Sequence, residues 1–156
     1  METAWFAAGC FWGVEEAFAR TKGVAGTSVG YMGGRVDHPT YEAVCTGSTG
    51  HTETVRVEFD AAVVAYEGLL EVFWSNHDPT QLNRQGPDVG TQYRSAIFSG
   101  DEAQESAARD SMEQQARSGR FGRPIVTEIA PAGEFWLAED YHQQYFAKQT
   151  RRVHGL

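Results

Sequence analysis

A chain of 156 residues, 41% hydrophobic and 22% charged, fits one soluble globular domain with a real core. Its formal net charge of −8, with no basic block to offset it, argues against a nucleic-acid partner. No apolar run approaches the roughly 20 residues that span a bilayer, and Met1-Glu2-Thr3 lacks the basic and apolar regions of a signal peptide, so a cytoplasmic single domain over residues 1–156 is expected.

Thr3–Ala8 reads as a short buried strand, and Phe11–Arg20 as a helix with Val14, Ala17 and Phe18 on one face. Between them lies Gly9-Cys10-Phe11-Trp12-Gly13. A thiol at a helix N-terminus feels the unpaired backbone N–H groups, which favour the thiolate, the form that attacks. The glycines permit a tight turn and close approach of a ligand. Phe11 and Trp12 either pack in the core or wall a pocket for a small apolar group such as a methyl.

Val24–Tyr31 is expected as a second strand, and residues 32–50, rich in Gly, Pro, Thr and Asp, mainly as loop. Within that loop Cys45 follows an apolar-leaning stretch and reads as a buried, inert thiol rather than a redox partner of Cys10. Two cysteines make no disulfide framework, and without a Cys-x-x-Cys pair a thiolate zinc site is not expected.

Thr52–Phe59 alternates, with Val55, Val57 and Phe59 facing one way. Glu53 shares that parity, so its carboxyl either points toward the buried side or stands as a solvent-facing glutamate at the strand end. Burial raises a carboxyl pKa and can keep it protonated as a hydrogen-bond donor or general acid. His51 has the same parity and reads as a hydrogen-bonded structural residue, with a base for Cys10 as the other reading.

Val64–Asn76 repeats Leu69, Leu70, Phe73 and Trp74 at helical spacing. His77–Tyr93 is a long polar loop, dense in Asp, Gln, Tyr and Arg between glycines. His77-Asp78 resembles half of a metal site without companion ligands at usable spacing, so no metal is expected. Tyr41 and Tyr93 either pack half-buried or direct hydroxyls at a bound oxygen. Arg94–Phe98 follows as a strand, Asp101–Arg117 as a charged helix capped by Ser99, Pro124–Ile129 as a strand and Ala138–Gln149 as a last helix. The first six main elements run β-α-β-β-α-β, the ferredoxin-like split pattern. The expectation is an α+β two-layer sandwich, a mixed sheet with helices packed on it.

These stretches together resemble the peptide methionine sulfoxide reductase A family. The resemblance runs through Gly9–Gly13, Gly30-Tyr31 with Gly33-Gly34, Pro39-Thr40-Tyr41, and Gly50-His51 with Glu53. It continues through His77–Thr80, Gln85-Gly86, Asp88–Ser95 and Ala138–Tyr145, covering nearly the whole chain. It implies that Cys10 attacks the sulfoxide sulfur while Phe11 and Trp12 hold the substrate methyl group. It further implies that protonated Glu53 gives a proton to the oxygen, that Tyr41 and Tyr93 position it, and that Asp88 assists through the polar network. The implied substrate is the S epimer of methionine sulfoxide, free or in oxidised proteins, and the implied role is protein repair by a monomer. No cofactor is implied, but Cys10 left as a sulfenic acid needs an external thiol: thioredoxin, glutaredoxin or dithiothreitol. Many members of the family carry resolving cysteines in a glycine-rich C-terminal tail, whereas this sequence has none after Cys45. Either the sulfenic acid meets an external thiol directly, or Cys45 moves in, or a tail lies outside this sequence; the first and third are preferred.

Two other classes of function suit the same residues. One is a cysteine hydrolase or acyltransferase with Cys10 as nucleophile and His51 as base. The other is a non-catalytic module that binds oxidised methionine between the aromatics.

Overall fold

β1 (Glu2–Ala8) buries alternate residues Ala4, Phe6 and Ala8 on one face of a six-stranded mixed sheet. A computed structural model describes residues 1–153. In chain order α1 (Phe11–Ala19), β2 (Val24–Met32), α2 (Tyr41–Cys45), β3 (Thr52–Phe59), α3 (Tyr66–Ser75), β4 (Arg84–Gln85) and β5 (Asp88–Val89) follow. β6 (Ser95–Ser99), α4 (Glu102–Ser118), β7 (Glu128–Pro131), β8 (Trp136–Leu137) and α5 (Tyr145–Val153) complete the described chain.

The sheet runs β7-β6-β1-β3-β2-β8. β6 and β7 pair parallel, and every other neighbouring pair is antiparallel. On the helix face Phe6, Tyr31, Val55, Val57 and Ile97 meet Phe11, Val14 and Phe18 of α1 and Leu69, Leu70 and Phe73 of α3. Phe6 stacks on Phe18 with ring centroids 4.8 Å apart, a contact worth roughly 0.5–1.5 kcal/mol beyond area burial. Ala7, Met32, Ala96 and Phe98 face the other way, under Trp5, Ala130, Ala132 and Phe135.

Registers Phe6↔Val55, Met32↔Thr52 and Ala8↔Ser95 bring the end of β1, the end of β2 and the starts of β3 and β6 to one end of the sheet. The candidate chemistry collects there.

Several elements differ from expectation for local reasons. Residues 32–50 hold the short helix α2, whose start Thr40 caps by accepting from the Ala43 N–H. The polar loop after α3 contains the β4–β5 ribbon and a 3₁₀ turn at Thr91–Tyr93. Asp101, not Ser99, caps α4: its Oδ1 accepts the Gln104 N–H at 2.8 Å, and the shorter reach of Asp101 to that amide wins. The strand expected at 124–129 is paired only over Glu128–Pro131. The expected last helix is interrupted: a 3₁₀ turn spans Asp140–His142, and Gln144 at φ 48 breaks the helical path before α5 starts.

Candidate active site

Cys10 is the N-cap residue of α1, half-buried, with φ −55 and ψ 121. The turn before it requires Gly9, which lies at φ +100. A Cβ on Gly9 would stand 2.8 Å from Cγ of Gln85, so the β4–β5 ribbon passes directly over this backbone. Gln85 is itself held by bonds to both the N–H and the C=O of Asp78, each 2.9 Å. The ribbon delivers Asp88 close enough for its charge to act on both Cys10 and Glu53.

Glu53 is buried, and its Oε1 accepts the Phe11 backbone N–H at 3.2 Å. The strand parity of β3 therefore does aim this carboxyl at the start of α1. Desolvation pushes its pKa up to about 7, against the Phe11 N–H and with help from the Asp88 charge.

The thiol departs from the sequence-based expectation. Desolvation pushes Cys10 up to about 11; the Trp12 and Gly13 N–H groups pull it down, while Glu53 and Asp88 add to the rise. The helix N-terminus acts in the expected direction, but burial beside carboxylates outweighs it. The surroundings therefore favour the neutral thiol over the thiolate near neutral pH.

Tyr41 and Tyr93 are half-buried, and burial raises both phenols; for Tyr41 the hydrogen bond of its hydroxyl to the Cys45 thiol comes next, and for Tyr93 neighbouring negative charge. Each feels Glu53, and Tyr93 also feels Cys10, Cys45 and Asp88. The Glu53 charge thus reaches Cys10 and both tyrosines, and the Asp88 charge reaches Cys10, Glu53 and Tyr93. Phe11 is fully buried, tilted against Tyr31 and His142 at 5.9 and 5.1 Å. Trp12 is only partly buried: its ring lies on Tyr145 at 3.8 Å, nearly parallel at 8°, and its Nε1–H donates to His142 Nδ1 at 3.0 Å. Phe11 thus packs in the core, and Trp12 keeps part of its ring at the surface.

Cys45 is exposed, not buried. On the five-residue α2 the buried position falls to Val44, which turns Cys45 outward beside the Tyr41 side chain. His51 is structural: Nδ1 accepts the Gly34 N–H at 3.0 Å and Nε2 donates to the Val36 carbonyl at 2.7 Å. With both ring nitrogens engaged it is no base for Cys10, which removes the hydrolase reading. His77 is likewise tied at both nitrogens, to the Phe73 carbonyl and Ser95 Oγ, at 2.7 and 2.8 Å.

Residue reading alone overlooked the segment after β8. Ala138, Glu139 and Gln143 fasten it to β2 and α2, and His142 packs on Phe11, Trp12 and Tyr41. A run of Glu, Asp, His and Gln looks like solvated surface until its tertiary partners are known.

A protein-family model described as peptide methionine sulfoxide reductase matches residues 2–155. The chain is 62% identical over 149 residues to peptide methionine sulfoxide reductase MsrA of Methanoculleus marisnigri, covering 96% of this chain and 91% of the relative. Among solved structures it resembles methionine sulfoxide reductase A of Corynebacterium diphtheriae, with a TM-score of 0.90 and 44% identity over 96% of this chain and 75% of that one. Reduced Mxr1 from Saccharomyces cerevisiae also has a TM-score of 0.90, at 33% identity over 96% of this chain and 86% of that one.

Proposed function

Because the chain belongs to the peptide methionine sulfoxide reductase family, we propose that its methionine sulfoxide reductase activity resides in Cys10, Glu53, Tyr41, Tyr93 and Asp88. Phe11 and Trp12 receive the methyl group of the S epimer, free or within a protein. The observation that carries the reading is a buried carboxyl of raised pKa hydrogen-bonded to the first turn of the helix that Cys10 caps.

Near neutral pH the resting pair is a thiol and a carboxyl close to its midpoint. The reactive pair, thiolate and carboxylic acid, differs from thiol and carboxylate only by the location of one proton. Moving it from Cys10 to Glu53 costs on the order of 5 kcal/mol, from the gap between about 11 and about 7. A sulfoxide oxygen accepting from protonated Glu53 and the two phenols offsets that cost. The thiolate then attacks sulfur and forms an Sγ–S bond. The oxygen takes the Glu53 proton and passes as hydroxyl from the substrate sulfur to Cys10 Sγ, while the Sγ–S bond breaks and leaves its electron pair on methionine. Methionine leaves, reduced by two electrons, and Cys10 becomes a sulfenic acid. Two external thiol groups, of a thioredoxin or glutaredoxin type or from dithiothreitol, return it to the thiol with release of water and a disulfide. The exposure of Cys45 makes it available for the same step.

The wider reading is a monomeric, cytoplasmic single domain that repairs oxidised proteins; among the described residues no helix is long and apolar enough to cross a membrane. Its four strands β6-β1-β3-β2, all antiparallel, support a ferredoxin-like split core.

Single-turnover assays on the separate S and R epimers test the assignment. Methionine should form only from the S epimer, with one dimedone adduct on Cys10, and Cys10→Ser should form none. A Cys10→Ser protein that still releases methionine would exclude Cys10 as the nucleophile.

A further inference from the structure

Glu139, half-buried just before the 3₁₀ turn at Asp140–His142, spends both carboxylate oxygens on tyrosines. Oε1 accepts the Tyr31 hydroxyl at 2.8 Å, and Oε2 accepts the backbone N–H of Tyr41 at 2.9 Å. The Tyr41 amide opens α2, where no intrahelical partner exists for it. A helix of five residues cannot hold itself in water, and only Val44 anchors it by burial. Tyr31 is fully buried and tilted against Phe11, so the other end of the clamp is immobile.

The platform carrying Glu139 is equally fixed. The Ala138 N–H donates to the Val29 carbonyl at 3.0 Å. The Gln143 side chain bonds both the N–H and the C=O of Val29, each at 2.9 Å. His142 adds a second grip, its ring 4.5 Å from that of Tyr41. Burial favours the neutral acid of Glu139, but the Tyr41 N–H, its own N–H and the Tyr31 hydroxyl outweigh it and hold the carboxyl below the usual range.

We infer that Glu139 is a positioning residue: it fixes the start of α2 against the rigid end of β2 so that the Tyr41 hydroxyl stays aimed at the sulfoxide oxygen. The inference rests on the proposed role of Tyr41 and adds what makes that role possible. Glu139 touches no reacting atom and exchanges no proton with substrate.

The test is a double-mutant cycle read by single-turnover reduction of methionine S-sulfoxide. Glu139→Ala should slow the saturated rate about tenfold, the scale of one lost charge-assisted bond, with the half-saturating concentration within about twofold. Glu139→Gln should recover most of that rate. Its oxygen can still accept the Tyr41 N–H, while the Tyr31 hydroxyl turns to accept from its NH2. In a Tyr41→Phe background Glu139→Ala should cost less than about twofold. Equal cost in both backgrounds, or an Ala variant as fast as the parent, overturns the role of Glu139 and leaves that of Tyr41 standing. A fully active Tyr41→Phe protein removes both. Should the Ala variant fail to fold, amide exchange in the unsubstituted protein decides: slow exchange at Tyr41 supports the clamp, and exchange at the rate of an exposed amide refutes it.

Discussion

The backbone N–H of Phe11 donates to Oε1 of Glu53 across 3.2 Å, tying the acid of β3 to the helix that carries the thiol. These residues stand 42 positions apart in the chain. The bond holds the carboxyl at the mouth of α1, where its protonation state and that of Cys10 are coupled through a shared field.

That coupling predicts a particular pH profile. If one proton is shared by Cys10 and Glu53, kcat/KM should rise with pH to about 7, stay level, and fall only near about 11. Glu53→Gln should lose the plateau: its rate climbs about tenfold per pH unit through the alkaline range as thiolate forms. At pH 7 the Gln variant should be slower by roughly 10²- to 10³-fold, yet more active than Cys10→Ser. A Gln variant with the parent rate and profile would show that Glu53 is not the acid.

Stability should register the same carboxyl. Its folded pKa, about 7, lies above the unfolded value of 4.5, so the folded state binds more protons between those limits. Stability from this group is fully present below pH 4.5 and is lost as pH rises through about 7. Glu53→Gln should therefore gain on the parent from acid to alkaline pH, by up to about 3 kcal/mol at pH 9. Denaturant unfolding at pH 4.5 and pH 9 measures the difference; a gap that closes with rising pH contradicts the sign.

The resting thiol should be slow to alkylate. Iodoacetamide labelling of Cys10, followed on its own peptide to separate it from exposed Cys45, should accelerate about tenfold per pH unit from 7 to 10. Removing the Glu53 or Asp88 charge should shift the curve to lower pH, because both charges raise the thiol. Rapid labelling already complete at pH 6 is the contrary result.

Gly9→Ala should damage the site more than its size suggests. The residue lies at φ +100, and the added methyl would meet Gln85 at 2.8 and 2.9 Å. A strain of roughly 1–3 kcal/mol is expected, relieved by displacing the β4–β5 ribbon and with it Asp88. Calorimetry and single-turnover rates should both fall. If only stability fell, the ribbon would not be what places Asp88.

The order of the main strands and helices was legible because apolar periodicity is a local property. Thr52–Phe59 alternates so regularly that the inward aim of Glu53 could be read before any fold was known, and its hydrogen bond agrees. Caps and short helices were less legible: Asp101 and Ser99 are both competent caps, and geometry chose Asp101. Cys45 was misread because an apolar neighbourhood in sequence says nothing about which way a five-residue helix turns. Glu139 and His142 carried no local signal, since their partners Tyr31, Tyr41 and Trp12 lie roughly 100 residues or more away in the chain.

The amino-acid sequence by itself pointed to Cys10 as candidate nucleophile, Glu53 as candidate acid, the Phe11–Trp12 pair and the order of the main strands and helices, because each of these readings rests on residue type and spacing along a short stretch. Only the tertiary structure decided the resting proton on Cys10, the outward face of Cys45 and the clamp on Tyr41. Desolvation and charge depend on everything packed around a group, and that surrounding is assembled from distant parts of the chain.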